Sequence, residues 1–459
     1  MNNAEPRLTQ GSVGRHLVVM TTPVLFGIFT MMSQTFVDAY FIGQVGDRAL
    51  AALSFAFPVL MVITSIAIGL GAGTSSVVAR AYGSSDLRRA RRLATDSLIL
   101  SFLVTLVISA VGLLTINPLF KLLGAPTDML PMIRGYMTIL YGGVPFVVVG
   151  MVGMSSMRAT GDTRLPSMLM VLAAILNIIL DPIFIFGLGP VPEMGLNGAA
   201  FAALIARGGI FFGTLYLMHA RMDMLTLNKP NSAELRESWT DILHVGIPAA
   251  ATNAVIPIAT GVITAMLARY GTDAVAGFGI ASRVESLTLV VFYALSAIIG
   301  PFVGQNVAAG KAGRIYQALR ICTIFCIAMG LAIAAFLAVF NDYLPTLFSQ
   351  SPLVISVASK FLLIAPISYG AYGMVMIMNA SFNGMGKPMP AVVISIVRMA
   401  MIYVPLAVVA RYYFGIDGIF AAYAFANIAT GVAAYIWARK SVKGQCDRHE
   451  MPVLVTETG

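Results

Sequence analysis

Long apolar runs separated by short polar breaks set the character of this chain. Twelve of them reach spanning length, about 20 residues each: Leu17 to Gly43, Leu50 to Val78, Ala94 to Phe120, Pro131 to Met157, Pro166 to Phe186, Leu196 to Met218, Asp241 to Leu267, Ala274 to Val303, Ile315 to Phe340, Val354 to Ala380, Pro390 to Phe414 and Ile416 to Trp437. None shows the period-two alternation of a membrane-barrel strand. A lipid-facing backbone must close its hydrogen bonds within its own segment, which leaves helices. The pattern therefore predicts an all-α integral membrane protein with twelve transmembrane helices.

The second six runs repeat the first six. Pro23 and Pro248 stand 225 residues apart, and the same offset relates Gly46 to Gly271 and Gly161 to Gly386. After a longer loop in the first half, Gly195-Leu-Asn-Gly198 matches Gly415-Ile-Asp-Gly418 at an offset of 220. A duplicated hydrophobic chain predicts two pseudo-symmetric six-helix lobes flanking a central cleft, as many transporters are built. The expected divisions are a cytoplasmic N-terminus over 1–16, an N-lobe over 17–220, a cytoplasmic linker over 221–240, a C-lobe over 241–438 and a cytoplasmic tail over 439–459.

Composition agrees, with 58% apolar and 11% charged residues. With the N-terminus inside, nineteen basic residues fall on cytoplasmic segments and six on outer ends, a positive-inside bias that puts both termini in the cytoplasm. The net charge of +9 is thus mostly topology. A nucleic-acid reading would need a basic soluble face, and no soluble stretch is long enough to supply one. The first apolar run is too long for a signal-peptide core, so it is expected to remain as a helix. Cys322 and Cys326, one turn apart in a helix, read as small packing residues rather than metal ligands, because no His or carboxylate shares their face.

Function is to be sought at ionisable groups inside the bilayer, where each is costly unless paired or neutralised. Asp38 follows Gln34 by four residues on the first span, and Asp181 follows Asn177 by four on the fifth, so each amide shares a helix face with its acid. Both acids lie about five residues from the outer ends of their spans, within roughly 8 Å at 1.5 Å per residue. Tyr136 on the fourth span reaches the same height, either in a shared pocket or as an interfacial aromatic. Gln34, Asp38, Asn177, Asp181 and Tyr136 are the candidate polar pocket, with Gln34, Asp38 and Asp181 the candidate cargo contacts. The repeat partners of the acids are apolar, Ile263 and Leu406. The second lobe carries Arg283, Glu285 and Arg398 instead, read as a structural or gating network in preference to direct cargo contacts. Arg207 on the sixth span is a candidate counter-charge for an N-lobe acid. Pro23 and Pro182 each remove a backbone hydrogen bond and are candidate bending points.

Thr22-Pro23, Val37-Asp38-Ala-Tyr-Phe-Ile-Gly43, Arg158-Ala-Thr-Gly161-Asp-Thr-Arg164-Leu-Pro166, Asn177-Ile-Ile-Leu-Asp181-Pro182 and Val303-Gly-Gln-Asn306, in this order, resemble the multidrug and toxic compound extrusion (MATE) transporters over nearly the whole chain. The chain looks most like the DinF-type branch, because its acids lie on the first and fifth helices. The resemblance implies a V-shaped pair of lobes, a bacterial cytoplasmic membrane, and export of cationic or amphipathic compounds in exchange for protons or sodium ions. It also makes Asp38, Tyr136, Asn177 and Asp181 the candidate coupling residues. No enzymatic activity and no cofactor are expected. The coupling ion is expected to be a proton, with sodium at Asp38, Asn177 and Asp181 as the alternative, and the chain is expected to act as a monomer.

Three rival readings are weaker. A lipid-linked oligosaccharide flippase would be expected to show a more basic cavity. An intramembrane aspartyl protease would carry a Gly-x-Gly-Asp context, where this chain has Leu180-Asp181-Pro182. A major-facilitator transporter would show a fuller glycine pattern in the loop after the second span.

Overall fold

The computed structural model describes residues 7–229 and 231–450. Pro230 in the linker, residues 1–6 and residues 451–459 of the tail lie outside the described residues, as do the side chains of Arg7, Asp47 and residues 444–450, Cys446 among them. Among the described residues there is no strand.

The first half folds into α1 (Val13–Val45), α2 (Asp47–Gly83), α3 (Leu87–Leu122), α4 (Leu130–Ala159), α5 (Arg164–Phe186) and α6 (Leu196–Tyr216). The second holds α7 (Ser232–Leu267), α8 (Thr272–Thr288), α9 (Val290–Ala308), α10 (Ala312–Phe340), the short α11 (Tyr343–Thr346), α12 (Pro352–Ile364), α13 (Tyr369–Gly384), α14 (Met389–Ile396) and α15 (Val404–Glu450). Among the described residues, eleven helical stretches are long and apolar enough to cross a membrane, and one of them, Met389–Lys443, has 55 residues, enough to cross twice. Gly415 divides it, with φ 60° and ψ −136°. Twelve crossings result, as the hydrophobic pattern predicts.

Some crossings are interrupted within their apolar runs, two of them at prolines, Pro366 and Pro405. Helices α8 and α9 form one span that breaks at Leu289 (φ −81°, ψ −5°), and α12 joins α13 through a 3₁₀ turn over Ala365–Ser368. A π-helical segment, Val397–Tyr403, lies between α14 and α15. By contrast, α1 and α5 continue through Pro23 and Pro182, so neither proline ends its helix.

The glycine repeat is a backbone repeat. Gly195 and Gly415 both have positive φ, 53° and 60°, a conformation other residues adopt at a steric cost. Three residues on, a Cβ on Gly198 would lie 2.3 Å from the Phe184 carbonyl oxygen, and one on Gly418 would lie 2.4 Å from that of Ala410. Each half therefore turns back against itself at the same place, through a glycine that cannot carry a side chain there.

By packing, the chain divides into two units. The N-terminal unit comprises Met20–Val78 and Asp86–Ala254, and the C-terminal unit comprises the segment up to Val19, Ala79–Ser85 and the chain from Val255 onward. In the N-terminal unit the polar segment after α6 is held to the start of α3 by three arginines. Arg91 pairs with Asp223, Arg89 with Glu237 at 2.9 Å and Asp241 at 3.4 Å, and Arg92 Nη1 donates to the Asn228 carbonyl at 2.7 Å. Exposed pairs contribute little, about 0–1 kcal/mol. The pair of Arg92 with the fully buried Asp96 (Nε to Oδ2 3.0 Å) anchors the group, because removing one partner would strand the other's charge.

In the C-terminal unit the turn Arg7–Thr9 is fastened to the ends of α9 and α10. Leu8 is buried, its N–H donates to Gln305 Oε1 at 3.2 Å, and its carbonyl accepts from Asn306 Nδ2 at 3.2 Å and Arg314 Nη2 at 3.0 Å. The Gly-Gln-Asn306 motif thus has a local structural use. Cys322 and Cys326 are buried and unbridged.

Candidate functional site

The N-terminal unit brings its candidate polar residues together from α1, α4, α5 and α6. The four-residue spacing of Asn177 and Asp181 puts both on the buried face of α5, at 0% and 1% exposure. Gln34 and Asp38 occupy one face of α1 and are half-buried. Asp38 and Asp181 lie within direct interaction range of each other, carboxyl to carboxyl. Gln34 Nε2 contacts Asn177 Oδ1 and lies 3.4 Å from Asp38 Oδ2.

The Asn177 amide sits between the two acids and has two usable orientations. In one, Nδ2 donates to Asp181 Oδ1 at 3.3 Å. In the other, the amide nitrogen donates to Asp38 Oδ1 at 3.2 Å while the oxygen accepts the Ala203 backbone N–H of α6 at 3.1 Å. The second orientation reaches the α6 backbone, but it sets the Asn177 nitrogen against Gln34 Nε2, another donor, and leaves Asp181 without the Asn177 donor. Asp181 Oδ2 is buried with no hydrogen-bond donor.

Tyr136 is buried beside the nest, in electrostatic range of Asp38, Asp181 and Arg207, without a hydrogen bond to them. Arg207 is in electrostatic range of Asp38 and Tyr136 but makes no ion pair within 4.0 Å among the described residues. Two carboxyl groups and one guanidinium leave the nest acidic when all are charged. An acidic, mostly buried nest with an unmet carboxylate oxygen is suited to hold a proton or a small cation. No cluster of three His, Cys, Asp or Glu side chains of the kind that holds a metal ion occurs among the described residues.

The C-lobe candidates separate. Glu285 and Arg398 belong to one buried cluster, in which the Tyr423 hydroxyl donates to Glu285 Oε1 at 2.9 Å and Arg398 Nη1 donates to Asn427 Oδ1 at 2.9 Å. Arg283 does not join it: its side chain is exposed and makes no hydrogen bond or ion pair among the described residues. Residues two apart on α8 face different ways, which accounts for the split. Tyr423, Asn427, Tyr369 and Tyr372 have no signal in the sequence that singles them out. Each is an ordinary polar or aromatic residue in an apolar helix until α13 and α15 turn it toward Glu285 or Arg398.

Known proteins share this architecture. A family model described as MatE matches residues 23–183 and 248–409, the two halves of the repeat. A Shewanella oneidensis protein named FAD transporter is 40% identical over 433 residues, covering 94% of this chain and 96% of that protein. A Bacillus subtilis protein named probable multidrug resistance protein YoeA is 25% identical over 453 residues, covering 95% and 98%. Among solved structures, the Vibrio cholerae MATE transporter VcmN in the bent form matches with a TM-score of 0.88 at 33% identity, covering 94% of this chain and 98% of that one.

Proposed function

The chain belongs to the MATE family of membrane transporters, and from that premise we propose that it is a proton-driven exporter of amphipathic organic compounds. Asp38 and Asp181 carry the coupling proton. The observation that supports this most is the contact between the two carboxyl groups, one of whose oxygens, Asp181 Oδ2, has no donor. Two carboxylates in contact repel unless a proton or cation lies between them, and such a pair takes up and releases protons as a unit. Gln34 and Asn177 orient the acids, and Tyr136 closes the buried side.

A proton and an organic cation then compete for one negative charge. Exchange follows if the two loaded forms interconvert and the empty form, with a bare buried charge, does not. For a monovalent cation exchanged one for one, the roughly 2.3 kcal/mol a charge gains across about 100 mV cancels and one pH unit, about 1.4 kcal/mol, holds about a tenfold gradient; an uncharged cargo keeps both contributions and could be held at a several-hundred-fold gradient. Sodium is the weaker candidate. In the orientation that reaches α6, the Asn177 oxygen is committed to the Ala203 N–H and is not free as a ligand. The reading assumes a bacterial cytoplasmic membrane, both termini inside, and a monomeric transporter.

Relatives named for multidrug resistance favour drug-like cargo. The relative that is 40% identical over nearly the whole chain is named for FAD, which favours a flavin nucleotide as a second reading of the cargo. Dye and FAD efflux from proteoliposomes, under separately imposed proton and sodium gradients, tests both. Proton-driven efflux is expected, and Asp38→Asn or Asp181→Asn should reach the membrane normally while export falls to background. Undiminished export by either variant would remove the acids from coupling.

A further inference from the structure

The C-terminal unit buries a second ionisable cluster that proton coupling at Asp38 and Asp181 leaves unused. Its centre is Glu285 on α8, hydrogen-bonded by Tyr423 of α15, with the Tyr369 hydroxyl beside the same carboxylate and Tyr293 and Tyr403 in electrostatic range. The Arg398 guanidinium stacks on the Tyr372 ring, 4.5 Å from its centroid. Asn427 fixes it from one side, and Asn427 is itself fixed, since its Nδ2 donates to Ser368 Oγ at 3.1 Å and Ser368 donates to the Ala365 carbonyl at 2.8 Å.

Two features of this cluster point to a ligand. Glu285 and Arg398 are within electrostatic range but form no ion pair within 4.0 Å, so the cluster holds an acid and a base apart. Arg398, only 4% exposed, also has a buried Nε–H with no acceptor. A buried donor left unmet is costly, and structures rarely keep one without a use. The cluster therefore offers an acceptor at Glu285, an unmet donor at Arg398 Nε, and the half-buried rings of Tyr293 and Tyr423. A bare organic cation fits poorly, because Arg398 repels it and only one carboxylate attracts it.

We propose that this cluster binds the ring of the cargo: a flat conjugated heterocycle whose edge sets an N–H donor beside carbonyl acceptors. Glu285 accepts the ring N–H, Arg398 Nε–H donates to a ring carbonyl, and the tyrosines stack on or border the ring face. An oxidised flavin ring has this edge, and a flat aromatic cation without carbonyls does not. The proposal rests on the transport reading and gives its cargo a chemistry, while ring binding can be measured without any gradient.

Purified protein in detergent should quench the fluorescence of riboflavin, which carries the ring without phosphates, and FAD should compete for the site. Ethidium, a flat cation lacking carbonyls, should not displace riboflavin. Glu285→Gln and the more conservative Tyr423→Phe should each weaken riboflavin binding about tenfold, which corresponds to roughly 1.4 kcal/mol, while eluting on gel filtration as the unmodified protein does. No saturable riboflavin binding, equal displacement by ethidium, or unchanged affinity in Tyr423→Phe would each overturn the proposal. Loss of proton-driven efflux with riboflavin binding intact would instead count against the coupling mechanism alone.

Discussion

The two buried polar clusters sit on one duplicated scaffold and divide its chemistry differently. Phe361, 225 positions after Tyr136, stacks near Tyr423, while Tyr136 itself lies beside the acids. At the offset of 220 that relates the later glycines, Asn427 stands where the first half has Arg207, and Tyr423 where it has Ala203. In the first half, position 207 supplies a cation near Asp38 and position 203 a backbone N–H to Asn177. In the second, the cation comes from Arg398, position 427 only orients it, and position 423 supplies a phenol to Glu285. Equivalent positions thus flank both clusters, while the charged residues themselves stand at non-equivalent ones: Glu285 and Arg398 lie 225 positions after Leu60 and Ala173. The duplicated fold repeats the surroundings, and substitution within each half decides where the charges fall.

The largest effect tests the scaffold itself. Gly198→Ala and Gly418→Ala should both fail to yield folded membrane protein, because each methyl would lie under 2.5 Å from a carbonyl oxygen that helix packing holds in place. Fluorescence-detected size exclusion reads this directly. If one is tolerated and the other not, the halves are not equivalent at their turns.

A smaller effect sharpens the chemical contrast. Asn177→Ala and Asn427→Ala each remove a buried amide that bridges two polar groups, at a cost of about 1–3 kcal/mol. Asn427→Ala should be the worse of the two in thermal melts, since it takes a partner from a buried guanidinium, whereas the carboxyl groups left by Asn177→Ala can relax by taking up a proton. The reverse order would mean that Arg398 is better supported than its contacts indicate. Arg283→Gln should be the mildest change, within about 0.5 kcal/mol, because the side chain is exposed and has no polar partner. A clear loss of stability there would place Arg283 back among the C-lobe charges.

Much of this was legible in the chain. Apolar run lengths foretell twelve crossings, and the glycine pairs foretell a repeated backbone. The four-residue spacings of Gln34 with Asp38 and Asn177 with Asp181 foretell that each pair shares a face. Spacing fixes neighbours along one helix, because the helical period is universal. Rotation about the helix axis is a tertiary property, so nothing local marks Tyr423 and Asn427 as partners of Glu285 and Arg398. The two-residue spacing of Arg283 and Glu285 foretells that they part company, but not which of them turns inward. The π-helical segment Val397–Tyr403 ends just before Pro405, which cannot donate to the helical ladder, and the break at Leu289 lies beside the β-branched Thr288, Val290 and Val291, so composition contributes to both breaks.

The fastening of Leu8 has a consequence for biogenesis. Its partner Gln305 lies 297 residues further along the chain. At about 5–20 residues per second, the ribosome delivers α9 roughly 15–60 s after the N-terminal turn has emerged. Leu8 therefore cannot take up these native hydrogen bonds until α9 and the start of α10 have been made.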